Sequence, residues 1–218
     1  MTQQDLPSSL AEIQQRTATG YRLVLPPGWC RIPLRHGTSA AIREMLDVKF
    51  KHLPRDTVAP YRIEIERRLK QQVAEARANG GVDMYFPVEI SALGPLPASF
   101  VVSEIRLDPP QEAGNADPSL VVASLAADAL DAPGTQIVDI DGASGVRTEE
   151  FAGGNPDAEF SYASRGVKYT LPMPGAPGRW LLVMFATPGA ADPAGKLADL
   201  LVELFDAIMG TFRWTQEQ

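Results

Sequence analysis

The chain has 218 residues, 44% hydrophobic and 22% charged, a globular composition that excludes wholesale disorder. One Cys excludes an intrachain disulfide and a multi-cysteine metal cage, and two His leave little for a His-based metal or triad site. The net charge is −7, which sets the chain against phosphate backbones and makes nucleic acid an unexpected partner.

The charge is unevenly spread. Residues 1–80 hold 13 Lys and Arg against 8 Asp and Glu, and residues 81–218 hold 7 against 19. Residues 1–19 read as an N-terminal arm with a weak helical stripe of Leu6, Leu10 and Ile13, and residues 20–218 as a single domain. No basic segment followed by an apolar one opens the chain, and the longest nearly apolar run, Trp180–Ala186, is too short to cross a bilayer. A soluble, cytoplasmic protein with no membrane span is expected.

Tyr21, Leu23 and Leu25 alternate with Arg22 and Val24 as a half-buried strand does, and Pro26-Pro27-Gly28 stops it. Two helices follow. Thr38 or Ser39 caps the first, with Ile42, Met45, Leu46, Lys49, Phe50 and Leu53 at steps of three and four, and Pro54 ends it. The second starts at Asp56 or Thr57, carries Val58, Tyr61, Ile65, Leu69, Val73 and Ala76 on one stripe, and stops at Asn79-Gly80-Gly81. Glu64–Arg68 and Glu66–Lys70 are i,i+4 pairs on its wet side.

The period then changes to two. Val82–Ile90 and Ser99–Leu107 predict a hairpin around Gly94–Pro97, with Pro87 at an edge or bulge. Asp117-Pro118 starts a short helix through Leu130. Gln136–Asp141, Val146–Phe151, Phe160–Ala163 and Val167–Leu171 read as strands, and Arg179–Thr187 as a central strand buried on both faces. Leu197, Leu200, Leu201, Leu204, Phe205, Ile208, Met209 and Phe212 mark an amphipathic final helix, with Trp214 just beyond.

Strands joined by short turns imply an antiparallel sheet, and helices from both ends and the middle must cover it. The expected class is therefore α+β, an α/β/α sandwich with a two-helix insert after the first strand. The Tyr21–Trp29 segment ending Pro-Pro-Gly-Trp, the Arg179–Phe185 strand and the Thr-Phe-Arg-Trp ending at Thr211–Trp214 resemble the PsbP-like fold. That sandwich occurs in extrinsic photosystem subunits, a nuclear-transport cofactor and actinobacterial lipoproteins. The resemblance implies a binding or assembly module and transfers no site residues.

No phosphate loop or nucleophile elbow is present: Gly189 to Gly195-Lys196-Leu197 has the wrong spacing and no hydroxyl, and Gly142-Ala143-Ser144-Gly145 reads as a turn. Cys30 reads as a buried thiol, with Arg31 on the opposite strand face. His36 and His52 read as surface residues. Trp180 reads as core, and Trp29 and Trp214 as core or pocket lining.

Two functional readings follow. The first is a non-enzymatic protein-binding or assembly domain that presents the basic insert 39–79, with Arg43, Lys49 and Arg55, to an acidic protein. Arg31, Arg35 and His36 add to the basic excess nearby. The alternative is a small-molecule binder or enzyme whose loops 108–117 and 152–158 rim a pocket at one sheet end. Its acids would be Asp139, Asp141 and Glu150, two of them on one face of a strand end beside Gly142. No cofactor and no metal is expected in either case.

Overall fold

The computed structural model describes residues 17–51, 54–89, 96–107, 117–153, 163–187 and 192–216. In chain order these form β1 (Ala18–Arg22), β2 (Trp29–Pro33), α1 (Thr38–Phe50), α2 (Arg55–Ala78), β3 (Gly81–Pro87) and β4 (Ser99–Arg106). They continue with α3 (Pro118–Asp128), β5 (Gln136–Ile140), β6 (Ala143–Ala152), β7 (Ser164–Pro172), β8 (Arg179–Ala186), α4 (Lys196–Gly210) and β9 (Arg213–Gln216). The main sheet has seven strands in the order β2-β3-β4-β8-β7-β6-β5, and every neighbouring pair is antiparallel. A separate ribbon pairs β1 with β9. The class is α+β, a helix-covered antiparallel sheet. Among the described residues no helix is long and apolar enough to cross a membrane.

Alternation sorts the strand residues onto two faces. One face carries Tyr85, Phe100, Val102, Val167, Tyr169, Leu171, Leu181, Val183 and Phe185 and meets the stripe of Leu201, Val202, Phe205, Ile208 and Met209 on α4. Phe205 is its centre, stacked on Phe185 at 4.7 Å and tilted against Phe100 at 5.5 Å. Burying a ring of that size contributes about 2–3 kcal/mol. The β1–β9 ribbon extends this cover, since Tyr21 stacks on Phe212 at 5.5 Å.

The other face is covered at two places. Ile32 and Met84 pack under Ile42, Met45, Leu46, Leu69 and Val73 of α1 and α2. Val146 and Trp180 pack under Val121 and Val122 of α3. Asp117 caps α3, its carboxylate accepting the Ser119 N–H at 2.9 Å, with Pro118 in the first turn.

Several expectations are corrected. The strand read over Tyr21–Leu25 is β1, which starts at Ala18 and joins the ribbon rather than the main sheet, so the helix pair follows β2. Ala18 is fully buried and belongs to that strand, whereas residues 1–16 of the expected arm lie outside the described residues. In β8, Leu181, Val183 and Phe185 are buried, but Met184 on the other face is 43% exposed, because among the described residues α1–α2 and α3 cover the two sides of that face and not its middle. The strand expected over Phe160–Ala163 falls largely outside the described residues, and β7 starts at Ser164.

Candidate binding surfaces

The insert is held at one end and free at the other. α2 has 24 residues, a length of about 36 Å, more than a short strand can cover. Its second half packs through Leu69, Val73 and Ala76. In its first half Tyr61 and Ile63 are each 68% exposed, and Val48 on α1 is 55% exposed. Tyr61 was expected on the buried stripe with Ile65 and Leu69, and it is not there. The excess length of the helix is the sequence signal for this exposed end.

Arg43 and Lys49 are exposed on α1, as expected. Arg55 opens α2, and its side chain lies outside the described residues. The three do not form a purely basic face. Arg43 and Lys51 share the outer side of α1 with Glu44, Asp47 and Val48. Arg62 reaches across to Asp47 at 2.7 Å, Arg67 and Arg68 both engage Glu64, and Lys70 engages Glu66 at 2.7 Å. Hydrogen bonds from Arg67 and Arg68 hold the Glu64 carboxyl down at about 2. Lys70 lowers Glu66, with a smaller contribution from Arg43. Among the described residues Arg62, Arg67, Arg68 and Lys70 are thus matched within the insert.

The acids of the alternative reading do not converge. Asp141 and Gly142 are the two central residues of the β5–β6 turn, with φ of 52° and 78°. Positive φ at both positions is the type I′ hairpin geometry. Asp139 accepts the Gly142 N–H at 3.1 Å, and Asp141 accepts the Trp214 N–H at 2.8 Å, so both carboxylates serve the turn and the ribbon. Glu150 lies seven residues along β6 from Ala143, about 23 Å away. Residues 107 and 117 flank the turn end of the sheet and residue 152 the opposite end, and most of the two loops named above lies outside the described residues.

A different cleft, of about 380 Å³, does occupy the turn end. Leu107, Val121, Trp180 and the Pro172–Gly178 connection line it, with Ser119, Ser144 and Arg179 as polar groups. The start of β1 braces that connection, Ala18 N–H donating to the Pro174 carbonyl at 2.8 Å.

The buried charged groups are tied to one another. Arg147 is pinned by Asp206 on α4 at 2.8 Å and by Glu149 at 2.7 Å, and Tyr169 also donates to Asp206 at 2.8 Å. Arg165 joins Glu149 to Asp199. Burial alone would raise the Glu149 carboxyl, but the Arg147 and Arg165 guanidiniums outweigh it and lower it. Asp83, 1% exposed, accepts two N–H groups from Arg31 and the Tyr21 hydroxyl. These links cross from sheet to α4 and from sheet to ribbon, and sequence reading missed them because each partner lies far away in the chain.

Cys30 is half-buried on the α1–α2 side, away from Arg31, and burial followed by the Glu44 carboxylate pushes its thiol up. A raised thiol is a poor nucleophile at neutral pH. His36 is exposed, and His52 lies outside the described residues. Neither the known protein families nor the curated proteins with which the sequence was compared contain a match.

Proposed function

We propose that this chain is a non-enzymatic binding or assembly domain whose α1–α2 pair docks an acidic protein. One observation carries the reading: the first half of α2 holds Tyr61 and Ile63 in solvent at 68% each, and the end of α1 to which Arg62 links it exposes Val48, Lys49 and Lys51. Large exposed apolar groups with cations on the same helix pair are the residue types an interface core and its rim use. The order of elements and the terminal Arg213-Trp214 support placing the fold among the PsbP-like sandwiches, most of which act as binding modules. A cytoplasmic location belongs to the same reading, as does a protein partner rather than nucleic acid, which the net charge of −7 supports.

The test is affinity capture from the source cell with wild type, a Tyr61→Ser/Ile63→Ser variant and an Arg43→Glu/Lys49→Glu/Arg55→Glu variant. The reading expects at least one protein held by wild type and lost from both variants. An unchanged set of captured proteins refutes it.

The cleft beside Trp180 favours a second reading, a small-molecule site, because its volume lies in the range of ligand pockets and its lining is apolar with a few polar groups. An Ala143→Leu substitution would fill it, and a ligand found by screening should then lose affinity.

A further inference from the structure

We propose that a second surface, a cationic concavity at the root of the helix pair, binds a small oxyanion bearing phosphate groups. The inference is independent of the protein-docking reading, which concerns the far end of the same helices.

The concavity measures about 650 Å³ and lies where β2 leaves the sheet, α2 turns into β3 and β4 ends. Arg35, His36, Arg77 and Arg106 line it, with Glu104 the only acid among its lining residues. Arg179 grips the same Glu104 from beside it at 2.8 Å, while Arg35 holds the other carboxylate oxygen at 2.7 Å. One carboxylate therefore faces two guanidiniums and is pulled below its usual value chiefly by the Arg35 hydrogen bond. Arg77 donates to the Leu34 carbonyl and to the Thr38 hydroxyl, which fixes its guanidinium. Among the described residues Arg106 and His36 meet no hydrogen-bond or ion-pair partner, and both are exposed.

The floor is built for close approach. A Cβ at Gly80, where φ is 76°, would sit 2.5 Å from the Glu104 carbonyl oxygen, and one at Gly81 would sit 2.6 Å from that of Ala76. Only glycine at both positions lets the turn close against β4 and α2. Lining side chains from three separate segments thus converge in a protein whose overall charge is −7.

The chemistry selects the ligand class. Three lining arginines exceed what one carboxylate can neutralise, and the guanidinium fork matches paired phosphate oxygens. Glu104 already fixes Arg35 and Arg179, so Arg106 and His36 are the groups left to donate to a ligand.

Isothermal titration with inorganic pyrophosphate tests this, with an oligoglutamate peptide titrated separately. Saturable binding at one site per chain is expected. The Arg106→Ala/His36→Ala variant should keep its melting temperature and lose affinity by about tenfold or more. The Tyr61→Ser/Ile63→Ser variant should bind pyrophosphate as wild type does, which separates this proposal from the docking reading. Absence of pyrophosphate binding, equal binding by the Arg106/His36 variant, or binding of oligoglutamate in place of pyrophosphate would each overturn it.

Discussion

The Tyr21 hydroxyl donates to the Asp83 carboxylate at 2.5 Å and thereby ties the terminal ribbon to the second strand of the main sheet. Asp83 is 1% exposed, and the two Arg31 N–H groups at 2.8 and 3.0 Å complete its shell. Replacing Asp83 by Ala leaves Tyr21 with the Tyr85 hydroxyl at 3.0 Å as its remaining partner and Arg31 without its counter-charge. The expected loss is about 3 kcal/mol in a urea or guanidinium titration. It should fall short of the full cost of an orphaned buried charge, because Arg31 can turn to water.

The same cluster sets the alkaline limit. Burial and the nearby Asp83 carboxylate push the Tyr85 phenol up from 10.0 to about 12, and burial raises Tyr21 further. A raised folded value means the folded state holds the proton more tightly. The stabilising contribution is full below pH 10 and is lost as pH rises through about 12. Tyrosinate absorbance followed against pH should rise with unfolding, and Asp83→Asn should move Tyr85 ionisation to lower pH.

The link from Arg147 to Asp206 fastens α4 to β6. Asp206→Ala leaves Arg147 buried with Glu149 as its remaining carboxylate and removes the acceptor of Tyr169. A loss of about 3 kcal/mol is expected. Glu149 and Glu104 have lowered carboxyls, so their contributions are present above the ordinary value of 4.5 and are lost as pH falls below it. Stability of wild type should therefore drop in acid, and less steeply in an Arg147→Met/Glu149→Gln variant.

The β5–β6 turn isolates backbone strain from packing. A Cβ at Gly142 meets nothing within 4 Å, yet its φ is 78°. Gly142→Ala should cost about 1–2 kcal/mol through the left-handed backbone alone. Calcium added in excess should leave the melting temperature unchanged, because Glu150 is too far from Asp139 and Asp141 to share an ion.

Local patterns carried much of the fold. The stripe of α4, the Asp117-Pro118 start of α3 and the β3–β4 hairpin were all legible, because their signals lie within one or two turns of chain. The ribbon was not: Thr19 donates to the Thr215 carbonyl across 196 residues, and a four-residue strand such as β9 has too little alternation to announce itself. The site was less legible still. Arg31 and Asp83 are 52 residues apart, Arg147 and Asp206 are 59, and Arg35 and Glu104 are 69, so each charge is visible in the sequence and its partner is not. Tyr61 obeyed the helical spacing, but spacing says which side of a helix is apolar and not where the sheet beneath it ends.

Hydrogen exchange on the complex with the captured partner tests the docking account most directly. It predicts slowed exchange over residues 47–51 and 59–63, with the sheet end near Trp180 unchanged. Protection confined to the Trp180 cleft, with the exposed half of α2 exchanging as in the free protein, would contradict it.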